Sequence, residues 1–192
     1  MLIGLMGKSG SGKTTISKLF KELNNSIQIL EVDKIGHESH KDEEVKKELL
    51  KYFGKDVFDE SNNVNRKKLS DIVFNDKEMM QRLCDITYGF MQKKIDSLIN
   101  ESDITIIDYA LLPKTKYYTM CDITILVKAN YDKRCDRVVK RDSISKQKYY
   151  EINNNSVDYS NLHFDYVIEN DFDIKCLRKV VGDIYEKSIV SR

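Results

Sequence analysis

The stretch from Gly7 to Thr14, Gly-Lys-Ser-Gly-Ser-Gly-Lys-Thr, constrains this chain more than any other. It has the spacing G-x-x-x-x-G-K-[ST] and stands between the apolar run Leu2 to Met6 and a segment whose Ile16, Leu19, Phe20 and Leu23 recur at helical spacing. Each letter has a physical task. Glycines let the main chain curl around a phosphate, successive amide N–H groups then point inward, and the helix that follows adds the positive end of its dipole. Gly10, Ser11, Gly12, Lys13, Thr14 and Thr15 therefore form a seat for the phosphates of a nucleoside triphosphate. Lys13 would reach the β- and γ-phosphates, and the Thr14 hydroxyl would hold Mg2+.

The chain of 192 residues is long enough for one well-buried core with a small inserted subdomain, and short for two full domains. Its 32 basic and 31 acidic residues nearly cancel, so no overall field points to nucleic acid or a membrane surface as partner. Any anion site must be local. No run approaches the roughly 20 apolar residues that cross a bilayer, and the opening apolar run is too short for a signal peptide. Cys84, Cys121, Cys135 and Cys176 lie far apart without C-x-x-C spacing, which predicts reduced, buried thiols in a cytoplasmic protein.

Strand-like and helix-like segments alternate along the rest of the chain. Ile27 to Val32 reads as a second strand ending at Asp33, and ligands of open α/β sheets sit beyond the carboxyl ends of the strands. Asp33 is thereby a candidate for chemistry, with a helix cap or turn as the structural alternative. From about Glu38 to Asn100 the pattern is helical. Val45, Leu49, Leu50 and Tyr52 precede a stop at Gly54, a second helix starts at Arg66, and Asn75-Asp76 opens a longer one with Met79, Leu83, Ile86 and Phe90 on one face. Ile104 to Asp108 is the next strand. Asp108 fits either water-mediated support of Mg2+, as on a Walker B strand, or orientation of a substrate.

Ile123 to Val127 is a fourth strand, apolar throughout as expected for one buried on both faces. In the helix that starts at Tyr131, Arg134, Arg137 and Arg141 recur at spacings of three and four and so share one stripe. Such a stripe is either a solvated face or a supply of cations for a transferred phosphoryl group. Ser145 to Asn155, polar and tyrosine-rich with weak periodicity, would continue as a lid. Asp165 to Ile168 is a fifth short strand, and Leu177, Val181, Ile184 and Tyr185 mark a last helix. This alternation predicts an α/β fold, a five-stranded parallel sheet with helices on both faces.

Several of these segments together resemble the dephospho-CoA kinase family. The opening I-G-L-M-G-K-S-G-S-G-K-T-T is similar to that family's, and Asp33-Lys34-Ile35-Gly36-His37-Glu38 is similar to its D-x-I-x-H-E. Phe53 to Phe58, Asn65 to Leu69 and Val73 to Asp76 follow in order. Arg137 to Asp142 resembles the R-L-x-x-R-D at the lid entrance, and Asp165 to Asn170 the closing A-D-x-V-I-x-N. The resemblance implies a single P-loop kinase domain over residues 1–192, with a helical acceptor-binding insertion at about 38–100 and a lid at about 141–160. It implies ATP and Mg2+ as cofactors and phosphorylation of the ribose 3′-hydroxyl of dephospho-CoA. Asp33 would be the general base, Lys13 and Arg141 would stabilise the transferred charge with Arg137 binding ATP, and His37, Arg66 and Asp108 would hold the acceptor.

There are departures. Tyr88-Gly89 stands where the family has His-Pro, Asp108 to Lys114 keeps the aspartate and both leucines of D-x-P-L-L-x-E but ends in lysine, and Tyr150 to Asn154 has tyrosine for the arginine of R-I-x-x-Q. These changes fall on the acceptor side. A nucleoside or deoxynucleoside monophosphate kinase, with Arg66, Lys67 and Lys68 as phosphate clamp, and a nucleotide-binding protein without transfer activity are the alternative readings.

Overall fold

The computed structural model describes residues 1–74 and 76–190, arranged as two compact units. One unit comprises Met1–Leu30 with the chain from Ser102 onward, and the other Glu31–Glu101. Asn75, read with Asp76 as the opening of the longest helix, lies outside the described residues.

The first unit is built on a five-stranded parallel sheet of order β2-β3-β1-β4-β5. Its strands are β1 (Leu2–Met6), β2 (Gln28–Glu31), β3 (Thr105–Asp108), β4 (Ile123–Lys128) and β5 (Tyr166–Glu169). Central β1 lies between β3 and β4, with Leu5 in register with Asp108 on one side and Ile125 on the other. Two helices, α1 (Lys13–Leu23) and α9 (Ile174–Tyr185), supply the core of one face, and the short α6 (Tyr117–Met120) lies between β3 and β4 in the chain. Ile16, Leu19 and Phe20 of α1 and Leu177, Val181 and Ile184 of α9 meet Ile3, Leu5, Ile106, Ile125, Val127 and Ile168 from the strands. Because side chains alternate along a strand, both faces of β1 and β4 are covered, and this is why they read as unbroken apolar runs. Asp165 fastens β4 to β5: its Oδ2 accepts from the Thr124 amide and from the Thr124 hydroxyl, each at 2.7 Å.

Unit two holds α2 (Val32–Ser39), α3 (Glu43–Phe53), α4 (Arg66–Val73) and α5 (Lys77–Leu98). Val45, Leu49, Val57, Leu69 and Val73 form its core, with Leu83, Ile86 and Phe90 of α5 packed against it. Capping sets the starts: Asp42 accepts from the amides of Glu44 and Val45, Asn65 from Lys68, and Asp76 from Glu78 and Met79. Gly54, at φ +76°, closes α3.

The structure differs from the sequence expectation in several places. Helix begins at Val32, so Asp33 lies in the first turn of α2. Leu50, Tyr52 and Met79 are exposed, because α3 and α5 each turn only a narrow stripe to this small core. The segment read as a polar lid with weak periodicity contains a regular helix, α8 (Lys146–Asn154), packed on α7 (Tyr131–Asp142). Ser145 caps α8, and Tyr149 is its one fully buried residue, too sparse a signal for apolar periodicity. The cysteines are free as expected, but only Cys135 is buried. Cys84 follows inward-facing Leu83 and Cys176 precedes inward-facing Leu177, which turns both thiols aside. Among the described residues no helix is long and apolar enough to cross a membrane.

Candidate functional site

The phosphate loop leaves β1 and closes on the first turn of α1. Ser11 N donates to Lys8 O at 3.0 Å, and Gly12 O accepts from the amides of Thr15 and Ile16, so the loop is a tight turn feeding directly into helix. Its glycines are demanded by contact as well as conformation. A Cβ on Gly10, at φ +81°, would lie 2.5 Å from Arg134 O, and one on Gly12, at φ +97°, would lie 2.0 Å from Asn170 Nδ2. The loop is thus cast against the ends of β4 and β5 and the start of α7. Thr14 and Thr15 are exposed at the helix start, whereas the Ser11 hydroxyl is buried without a partner.

Lys13 is held in place from both sides. Its Nζ donates to Gly7 O at 3.2 Å and stands 3.8 Å from Asp108 Oδ1, with both side chains mostly buried. Asp108 comes to this position because β3 is in register with β1, its last residue opposite Leu5. The structure therefore groups Asp108 with Lys13 in the first unit, whereas His37 and Arg66 belong to the second.

The arginine stripe of α7 divides three ways. Arg137 clamps the loop: Nη1 donates to Gly10 O and Nη2 to Asn170 O, each at 3.1 Å. Arg141 forks onto its neighbour Asp142 at 2.7 and 2.8 Å and places Nη2 3.5 Å from Ser9 Oγ. That fork holds the Asp142 carboxyl below the usual range. Arg134 turns inward and is buried. Asn170, in the sequence only the end of a motif, is a structural part of the loop. Buried at the end of β5, it donates its backbone amide to Lys128 O and its side-chain amide to Ser11 O, both at 2.7 Å. A cavity of about 610 Å³ adjoins this region, with Lys8, Asn130, Arg134, Phe164 and Val167 in its lining.

In the second unit Asp33, His37 and Arg66 form a group of their own. Arg66 Nη2 donates to His37 O at 3.4 Å. Burial, and then the Arg66 charge, lowers the pKa of His37, while Asp33 pulls it the other way. His40 joins the group, again lowered first by burial and then by Arg66. A signal for His40 existed in its spacing of one helical turn from His37, yet no motif contained it.

Among the described residues no group of three or more His, Cys, Asp or Glu could hold a metal ion by itself. Mg2+ suits such a site, because it keeps several waters and binds through few protein groups together with substrate phosphates. The exposed Thr14 hydroxyl at the start of α1 fits that role. With a lysine fixed at 3.2 Å from Gly7 O and cations of α7 at the loop, the geometry is that of a seat for a polyphosphate.

The family model described as dephospho-CoA kinase matches residues 1–175. A dephospho-CoA kinase of Aquifex aeolicus is 34% identical over 191 residues, covering 96% of this chain and 96% of that protein. Another, from Fusobacterium nucleatum, is 30% identical, covering 94% of this chain and 95% of that protein. In fold the chain is similar to a crystal structure from Thermus thermophilus, with a TM-score of 0.81 at 20% identity, covering 98% of this chain and 97% of the other.

Proposed function

The chain belongs to the dephospho-CoA kinase family, and from that premise we propose that it transfers the γ-phosphoryl group of ATP to the ribose 3′-hydroxyl of dephospho-CoA, giving coenzyme A and ADP. The observation that carries this reading is Lys13, fixed between Gly7 O and Asp108 within a loop framed by Arg137 and Arg141. Phosphoryl transfer leaves little covalent chemistry to the protein. Its work is positioning and charge stabilisation.

Gly10 to Thr15 would take the phosphates of ATP through backbone N–H groups and the α1 dipole. Lys13 would neutralise charge on the transferring group. Arg141, exposed and paired with its neighbour Asp142, would turn onto that group, while Arg137 braces the loop beneath it. Thr14 would hold Mg2+, which would offset the negative charge of the phosphates. Asp33 would accept the proton of the attacking hydroxyl, a contribution worth about 10² to 10⁴ in rate. His37 and Arg66 would hold the acceptor. Asp108, expected to help there, is better supported as the partner that aims Lys13. We further assign the helical segment of about 38–100 to acceptor binding and that of about 141–160 to a lid. Partners are then small molecules, and the near-balance of 32 basic and 31 acidic residues gives nucleic acid no general attraction. Free thiols throughout support action in a reducing compartment such as the cytoplasm.

An ADP-release assay with ATP and Mg2+ against dephospho-CoA and a panel of nucleoside monophosphates tests the proposal. Dephospho-CoA is expected to give the highest kcat/KM. A monophosphate that outperforms it would make the chain a monophosphate kinase, and no release with any acceptor would make it a binding protein.

A further inference from the structure

Arg134 belongs to the arginine stripe but faces away from solvent, at 9% exposure. Its Nε donates to Ala129 O at 3.0 Å, and its Nη1 donates to Tyr149 Oη at 2.8 Å and to Asn153 Oδ1 at 2.9 Å. Every one of these acceptors is neutral. A guanidinium only donates and does not lose its proton, so a full positive charge is kept among neutral partners at a mostly buried position. Apolar packing at such a position is commonly as stable as a buried charge or more so. Joining α7 to α8 therefore does not by itself account for an arginine here.

The geometry beyond Tyr149 does. Its ring is fully buried and packs at 5.5 Å on Tyr131, whose ring centroid is 5.7 Å from the Arg134 guanidinium carbon. Since the phenol oxygen accepts from Arg134, its hydrogen is left to point onward, and Ser9 O is 3.5 Å away. Burial raises the pKa of that phenol, which keeps the hydrogen in place. Gly10, the next residue of the loop, lies against the backbone of Arg134 itself, where a Cβ would come within 2.5 Å of Arg134 O. Two successive residues at the tip of the phosphate loop are thus set by one arginine, Ser9 through the side chain and Gly10 through the main chain.

We propose that Arg134 is a positioning residue for nucleotide binding, acting through the Tyr149 hydroxyl on the carbonyl of Ser9 to hold the tip of the phosphate loop in its receiving curve. A hydrogen bond polarised by a cation is stronger than a neutral one, which gives the charge its purpose. The proposal rests on the reading of the chain as an ATP-dependent kinase and deepens it: α8 is a brace for the loop, so its docking and the loop's shape are one event.

The test is ATP binding by calorimetry, together with steady-state kinetics, for Tyr149→Phe, Arg134→Lys, Arg134→Met and the double variant Arg134→Met/Tyr149→Phe. Tyr149→Phe keeps the ring and removes only the hydroxyl. It is expected to weaken ATP binding about 2- to 10-fold, to leave the KM for dephospho-CoA unchanged, and to shift Tm by no more than about 4 °C. Arg134→Met should weaken ATP binding further, Arg134→Lys should recover part of the loss, and adding Tyr149→Phe to Arg134→Met should have no additional effect. Wild-type ATP affinity in Tyr149→Phe would overturn the proposal, as would losses that simply add in the double variant. Should Arg134→Met not fold, Tyr149→Phe still decides. The calorimetric arm needs no acceptor, so a wild-type protein inactive on dephospho-CoA would sink the proposed acceptor without obscuring this result.

Discussion

The side-chain amide of Asn170 donates to Ser11 O at 2.7 Å, and the same nitrogen occupies the place a Cβ on Gly12 would need, 2.0 Å away. The last strand of the sheet and the first loop of the chain are fitted to each other across this contact. Gly12→Ala is therefore expected to displace Asn170 as well as strain a residue at φ +97°, lowering ATP affinity at least about tenfold. Asn170→Ala leaves Ser11 O unpaired in a buried site, a cost of about 1–3 kcal/mol. ATP titration and thermal unfolding of both variants check this, and a Gly12→Ala protein with wild-type affinity would contradict it.

Lys13 and Asp108, 3.8 Å apart, are expected to separate in a mutational series. Lys13→Met removes the cation from the transferred phosphoryl and should lower kcat by about 10²–10³, comparable to loss of one transition-state donor. Asp108→Asn keeps that cation but frees it from its guide, so kcat should fall while ATP affinity changes little. Kinetics with saturating ATP distinguish the two.

Much of this was legible in the sequence, and for physical reasons. The phosphate loop is read from spacing because its glycines answer to local backbone geometry, and the strands beside it are read from apolar runs because both faces of β1 and β4 are covered. Helices α3, α4 and α5 announce themselves by stripes and by caps at Asp42, Asn65 and Asp76. Asn170 was not legible as a loop residue, because its bond to Ser11 spans 159 positions. The arginine stripe shows the same boundary. Spacing put Arg134, Arg137 and Arg141 along one line, but which of them turns inward depends on Tyr149, supplied by a helix whose single buried side chain makes no periodic pattern.

Asp165 is expected to be a stability residue. Its carboxylate takes both Thr124 bonds at 2.7 Å, and the Thr124 hydroxyl holds its pKa below the usual value. A lowered folded pKa means that the contribution is present above the unfolded value of about 3.8 and is lost as pH falls through the lower folded value. Asp165→Ala should cost about 1.5–3 kcal/mol at neutral pH. Denaturation of this variant should show no matching loss below pH 4, unlike the wild type.

His37 and His40 carry lowered pKa values, with burial the first cause and the Arg66 charge the second. Both are thus held neutral on folding. Their contribution to stability is present above the unfolded value of 6.5 and is lost as pH falls below it through the folded values. NMR titration of the imidazole Hε1 signals should give midpoints below 6.5 for both. Arg66→Ala should raise both, and midpoints unmoved by that substitution would contradict the assignment.

The central claim is transfer from ATP to one hydroxyl of one acceptor, and the fate of the γ-phosphorus tests it most directly. With γ-labelled ATP, Mg2+ and dephospho-CoA, the label should appear in a product indistinguishable from coenzyme A, one equivalent for each ADP formed. Asp33→Asn should slow that appearance by about 10²-fold or more while ATP binding is kept. Label recovered only as inorganic phosphate, or carried to a nucleoside monophosphate in preference to dephospho-CoA, would contradict the account.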